Sequence, residues 1–147
     1  MTALLDVNVL IALVDSAHVH HEAAHLWFAA HIRNEGWATC PLTENGMVRV
    51  LSQPTYPSGQ CTPAEVVEIL RALKNSHRQV HEFWTDDVSL SDDSLFQPAY
   101  IAGSRQVTDV YLLGLAARRG GNVVSFDRSL PWQAIRGGTS GLVESPA

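Results

Sequence analysis

The sequence predicts an α/β sandwich built on a mainly parallel sheet, and three observations carry that prediction. Short apolar runs alternate with stretches of helical periodicity along most of the 147 residues. Two of those runs, Ala3 to Leu5 and Val123 to Phe126, lead directly into aspartates, as buried strands do where they leave a sheet. No internal repeat, low-complexity tract or linker interrupts the pattern, so residues 1–147 read as one domain with room for a real core.

The elements follow in order. Ala3 to Asp6 reads as the first strand and Val7 to Asp15 as an apolar helix after it. His21 to Arg33 is a second helix, with Ala24, Trp27, Phe28 and Ile32 at helical spacing. Trp37 to Cys40 is a short strand, and Leu42 to Leu51 a helix whose Met47, Val48 and Leu51 share a face. Ser52 to Thr62, with two prolines and a glycine, is a loop. Thr62-Pro63 then opens a fourth helix that continues from Ala64 to Lys74. His81 to Trp84 is a strand, and Ser89 to Asp93 is expected to start a short helix. Val107 to Arg119 has the clearest helical pattern, with Thr108 as its cap and Gly120-Gly121 as its stop. Val123 to Phe126 is a buried strand, and Leu142 to Glu144 an edge strand.

Composition narrows the class. An apolar fraction of 46% with 17% charged residues describes a folded, water-soluble chain. No apolar stretch approaches the ~20 residues of a membrane span, and the N-terminal apolar run lacks a basic leader. Two cysteines, Cys40 and Cys61, make no disulfide framework, so cytoplasmic residence is expected. A net charge of −5 argues against phosphate binding at first sight. Setting aside four acids with a special placement leaves eleven acidic residues against ten basic ones, a nearly neutral background.

Those four acids are Asp6, Glu44, Asp109 and Asp127. On parallel strands, Asp6 and Asp127 emerge at the carboxyl edge of the sheet, where α/β folds place their sites. Glu44 and Asp109 follow threonines, Thr43 and Thr108, and open helices whose N-termini favour anions. Gathered in one cleft, such acids repel: two unit charges ~5 Å apart cost roughly 3 kcal/mol at an effective dielectric near 20. Hard divalent cations relieve that repulsion, and Mg²⁺ or Mn²⁺ takes oxygen ligands of this kind. The pattern therefore points to a metal-dependent hydrolase of phosphate esters. Each acid also has an ordinary role open to it: Asp6 as a helix cap, Glu44 and Asp109 as first-turn acids, Asp127 with Arg128 as a surface turn. All four ordinary roles would have to coincide to remove the site.

Taken together, Leu4-Leu5-Asp6-Val7-Asn8-Val9-Leu10-Ile11, Thr43-Glu44, Val107-Thr108-Asp109-Val110-Tyr111-Leu112 and Ser125-Phe126-Asp127-Arg128 resemble the acidic motifs of PIN-domain ribonucleases. Among these the chain is similar to the VapC toxins of bacterial toxin–antitoxin modules, over nearly its whole length and in order. The resemblance implies a three-layer α/β/α sandwich and Mg²⁺- or Mn²⁺-dependent hydrolysis of RNA, with tRNA or rRNA as the expected substrate. It implies products with 5′-phosphate and 3′-hydroxyl ends, dimerisation, and inhibition by a cognate antitoxin. Asp6, Glu44, Asp109 and Asp127 would be the catalytic and metal-binding residues. Asn8, Thr43, Thr108, Ser125 and Arg128 would support them or touch substrate. Ser125 stands where threonine is frequent in the family.

Two rival functions have weaker support. A phosphatase of the haloacid-dehalogenase kind needs a D-x-D motif, which reads Asp6-Val7-Asn8 here and lacks the second acid. A catalytically silent protein-binding module would have no use for four intact acids. His18, His20, His21 and His25 contain an i, i+4 pair of the kind zinc sites use, but no cysteine or intervening glutamate completes a motif, and a structural role is expected. The apolar stretches Val9–Val14 and Ala24–Ile32 suggest more apolar surface than a small sandwich covers. They predict a homodimer and a groove for an amphipathic antitoxin segment.

Overall fold

A computed structural model describes all residues, Met1–Ala147, as one five-stranded sheet with helices on both faces. Strand β1 (Ala3–Leu5) leads into helices α1 (Val7–Val14) and α2 (His21–His31), and β2 (Trp37–Thr39) into α3 (Pro41–Leu51) and α4 (Pro63–Ser76). Strand β3 (His81–Phe83) is followed by a long loop with two 3-10 turns and then α5 (Val107–Arg118). The chain ends with β4 (Asn122–Val124) and β5 (Val143–Glu144). All pairings are parallel, in the order β3-β2-β1-β4-β5, with Leu4 beside both Ala38 and Val123. The α/β/α sandwich expected from the sequence is the architecture found.

Strand alternation divides the core. Ala3, Leu5, Trp37 and Val124 face α1 to α4, whereas Leu4, Ala38 and Val123 face α5 and the loops packed beside it. The order fixes where a site belongs. The chain steps outward from β1 to β3, then returns past β1 to build β4 and β5, so its direction reverses between β1 and β4. Side loops part there, and the crevice beyond the carboxyl ends of these two strands is the natural ligand position.

Two close approaches hold the helices that line this crevice. A Cβ on Gly46 would stand 2.6 Å from a methyl of Val7, so only glycine lets α3 lie this close to the start of α1. Likewise, a Cβ on Gly114 would stand 2.1 Å from the edge of the Phe96 ring, which packs directly on α5.

Three expectations fail locally. Ser89 to Asp93 forms turns rather than a helix. The Ser89 hydroxyl accepts from the Ser91 amide, and Asp92 Oδ1 accepts from the Ser94 amide, bonds that compete with helical ones. Thr108 does not cap α5: a 3-10 turn at Ser104–Gln106 runs straight into the helix, which makes Gln106 the boundary residue. Finally, α1 has no surplus apolar face, because Val9 through Leu13 are all buried within the single chain. Its apolar surface therefore gives no support to dimerisation, whereas the second stretch, Ala24–Ile32, does expose an apolar side chain, Leu26.

Candidate active site

Asp6 stands where β1 ends and α1 begins. It caps α1, accepting the Val7 amide on Oδ1 at 2.8 Å, and its Oδ2 accepts the Ser125 hydroxyl at 2.8 Å. The ordinary capping role and the site role therefore fall on one residue, one through each oxygen. Ser125, fully buried just past β4, is the hub. Besides donating to Asp6, its Oγ accepts from Asn8 Nδ2 at 3.1 Å and from the Asp127 amide at 3.0 Å. Asn8 Oδ1 accepts the Phe126 amide at 3.2 Å, which ties the first turn of α1 to the end of β4. Asp127 is exposed, and its Oδ1 accepts the amide and hydroxyl of Ser129.

Asp109 lies in the first turn of α5. Burial, then the charges of Asp6 and Asp127, push its carboxyl up to about 6. Asp6 is also raised, by burial first and to a lesser extent by Asp127, with the bonds from Ser125 and Val7 opposing the rise. Asp6 and Asp127, from two distant segments, thus lie near enough to Asp109 to act on its charge at the switch point. The three do not close on a common point: no three acidic, histidine or cysteine side chains stand near enough to share an ion as placed. The donor set is nonetheless the all-oxygen, high-charge set that a hard divalent cation takes, and a cation is what would stabilise the ionised form of Asp109.

Glu44 behaves differently. It occupies the first turn of α3, where Lys74 Nζ from α4 pairs with its Oε2 at 2.9 Å and the Thr39 hydroxyl donates to the same oxygen at 2.6 Å. Thr39 in turn meets His81 Nε2 at 2.9 Å, and Lys74 lies 5.3 Å from the centre of the Phe83 ring. The His81 imidazole is held below its usual range by burial and then by Lys74. Thus the fourth acid is paired with the chain's sole lysine. Thr39, Lys74 and His81 carry no signal in the sequence; Lys74 and Glu44 are thirty positions apart, beyond any local periodicity.

Other candidates sort cleanly. Thr43 caps α3, exchanging bonds with the Cys40 amide and carbonyl, and touches no carboxylate. Thr108 is exposed and makes no cap. Arg128 is exposed and takes part in none of the ion pairs, so its guanidinium is available beside Asp127. His21 and His25 serve the fold, since His21 Nδ1 and His25 Nε2 meet the Ala12 and Leu13 carbonyls at 2.7 and 2.9 Å and so satisfy the last turn of α1.

Known proteins resemble this chain in sequence and in fold. The PIN domain family model matches residues 3–134. Ribonuclease VapC44 of Mycobacterium tuberculosis is 45% identical over 139 residues, covering 95% of each chain. Ribonuclease VapC39 of the same organism is 46% identical over 144 residues, 98% of this chain and 99% of that one. Among solved structures, Mycobacterium tuberculosis VapC20, described as a sarcin-ricin loop cleaving toxin, superimposes with a TM-score of 0.63 at 12% identity over 90% of this chain and 95% of that one. VapBC2 from Rickettsia felis, bound to a DNA fragment from its promoter, gives 0.61 at 8% identity over 99% and 98%. At those identities the structures speak to the fold alone, but the family match and the close relatives speak to descent: the chain belongs to the PIN-domain family, among the VapC ribonucleases.

Proposed function

We propose that this VapC-family ribonuclease cuts phosphodiester bonds of structured RNA, tRNA or rRNA, as the toxin of a toxin–antitoxin module. The observation that supports the reading is the placement of Asp6, Asp109 and Asp127 around the crevice between β1 and β4, with Asp109 raised to about 6 by burial and its two neighbours. A haloacid-dehalogenase-like phosphatase would need a second acid where Asn8 stands, and Asn8 is committed to Ser125 and Phe126.

Asp6, Asp109 and Asp127 would hold Mg²⁺ or Mn²⁺, with Glu44 as the fourth acid. When bound, such an ion lowers the pKa of water and offsets charge developing on the phosphate. The chain's own residues do the rest. Ser125 fixes the orientation of Asp6 and favours its ionised form; Asn8 and the Asp127 amide fix Ser125. Lys74 and the Thr39 hydroxyl hold the Glu44 carboxylate on the β2 side of the crevice. Arg128 is placed to meet a backbone phosphate next to Asp127. Ser in place of the family's frequent threonine changes nothing in this scheme, since the hydroxyl is the group used.

The antitoxin partner and a homodimer belong to the same reading. A basic antitoxin side chain entering the acidic crevice would block it by replacing the cation's charge. Cleavage of tRNA and rRNA with Mn²⁺ or with EDTA tests the proposal; no cleavage in either condition would reject it.

A further inference from the structure

A groove leads away from the acids along one face of α1. Its floor is Asn8, Ile11 and Asp15, spaced so that they line the same side of the helix and extend about 10 Å. One wall is the α1–α2 loop with Val19, which is 87% exposed, and the other is the loop after α3 with Tyr56. The cavity between them is about 350 Å³. His18 lines the groove, and its ring lies 5.8 Å from that of His20, tilted by 42°. His20, just outside the lining, stacks on Phe126 with centroids 4.4 Å apart and planes 14° from parallel. Phe126 directly precedes Asp127, and its amide is held by Asn8.

We propose that the rings of His18, His20 and Phe126, at the edge of this groove, form a nucleobase subsite with it, in which a base flanking the cut phosphate stacks on the rings. The proposal rests on the RNA reading above and deepens it. Rings beside a phosphodiesterase centre offer the face that single-stranded bases use. No lysine or arginine lines the groove, so it suits a base rather than a phosphate. Asp15, at the far end, is already engaged by the Tyr56 and Ser58 hydroxyls and the Ala17 amide, which leaves no unmet demand for a basic peptide side chain. Those bonds also pin the two walls to each other.

The test is equilibrium binding of short fluorescent oligoribonucleotides, with Ca²⁺ in place of Mn²⁺, to wild type, His20→Ala and His20→Phe. A second series carries a single abasic residue at each position in turn. His20→Ala should weaken binding on the order of tenfold, and His20→Phe should bind within about twofold of wild type. One abasic position should cost wild type a similar factor and cost His20→Ala almost nothing more. Equal binding of every abasic oligonucleotide by wild type overturns the subsite without relying on any variant. So does a His20→Ala protein that binds RNA normally but no longer co-purifies with a co-expressed antitoxin, which would give the groove to a protein. If wild type cuts no RNA, the functional reading falls, while the abasic series still decides the subsite.

Discussion

Replacing Asp109 by Asn should stabilise the metal-free protein, and by an amount that depends on pH. In the folded state burial, Asp6 and Asp127 raise its carboxyl from 3.8 to about 6. A carboxyl raised on folding binds its proton more tightly in the native state, so its contribution is fully present below about pH 4 and is lost as pH rises through 6. For a fully desolvated group that rise corresponds to about 3 kcal/mol. The carboxyl is only half-buried, and solvent screening reduces the figure to about 1–2 kcal/mol. Asparagine cannot ionise and escapes the penalty. For a chain of this size the difference corresponds to roughly 3–8 °C in melting temperature. Melts in EDTA at pH 4 and pH 7.5 read it directly: the two proteins should coincide at the lower pH and separate at the higher, with Asp109→Asn the more stable. Mn²⁺ should reverse the order, because it stabilises only a folded state that binds it. A variant that follows wild type at pH 7.5, or a gap already open at pH 4, would refute the reasoning.

The other expected outcomes concern the groups around the acids. Ser125→Ala removes the donor to Asp6 and leaves Asn8 and the Asp127 amide without their acceptor; Mn²⁺ affinity from thermal titrations should fall about tenfold or more, and Ser125→Thr should restore it. Lys74→Met leaves Glu44 half-buried and unpaired and should cost about 1–2 kcal/mol in urea melts, a loss that shrinks in a Glu44→Gln background if the pair is the cause. His21→Ala and His25→Ala should each cost about 1 kcal/mol by uncovering α1 carbonyls. Any rise in melting temperature that zinc produces should come from the carboxylates and be the same in wild type and in these two variants; a rise present in wild type and lost in His21→Ala and His25→Ala would assign the cluster to a metal.

How much is legible in the chain depends on whether a signal is local. The Ala3 to Asp6 and Val123 to Asp127 runs mark strands because burial on both faces of a parallel sheet leaves no polar alternation. Thr62-Pro63 with Glu65 announces the start of α4, since each bond of its cap lies within three residues. The segment at Ser89 misleads for a related reason: its serines and Asp92 prefer local turns, and composition alone does not separate a cap from a turn. Asp6, Asp109 and Asp127 can be found because acids at strand and helix ends have a placement rule. The Glu44–Lys74–Thr39 contacts cannot, since they depend on how α4 and β2 pack around α3. Nor can the strand order, which decides that β1 and β4 flank the crevice.

The central claim is that the carboxylates at the β1–β4 crevice hold the ion on which RNA cleavage depends. It is tested most directly by incubating tRNA and rRNA with wild type, Asp6→Asn and Asp127→Asn, each with Mn²⁺ and with EDTA, and by determining the chemistry of the new ends. The account predicts cutting by wild type only with Mn²⁺, 5′-phosphate ends, and losses on the order of a hundredfold or more in both variants. Cleavage that persists in EDTA, or an Asp6→Asn protein that cuts at the wild-type rate, would contradict it.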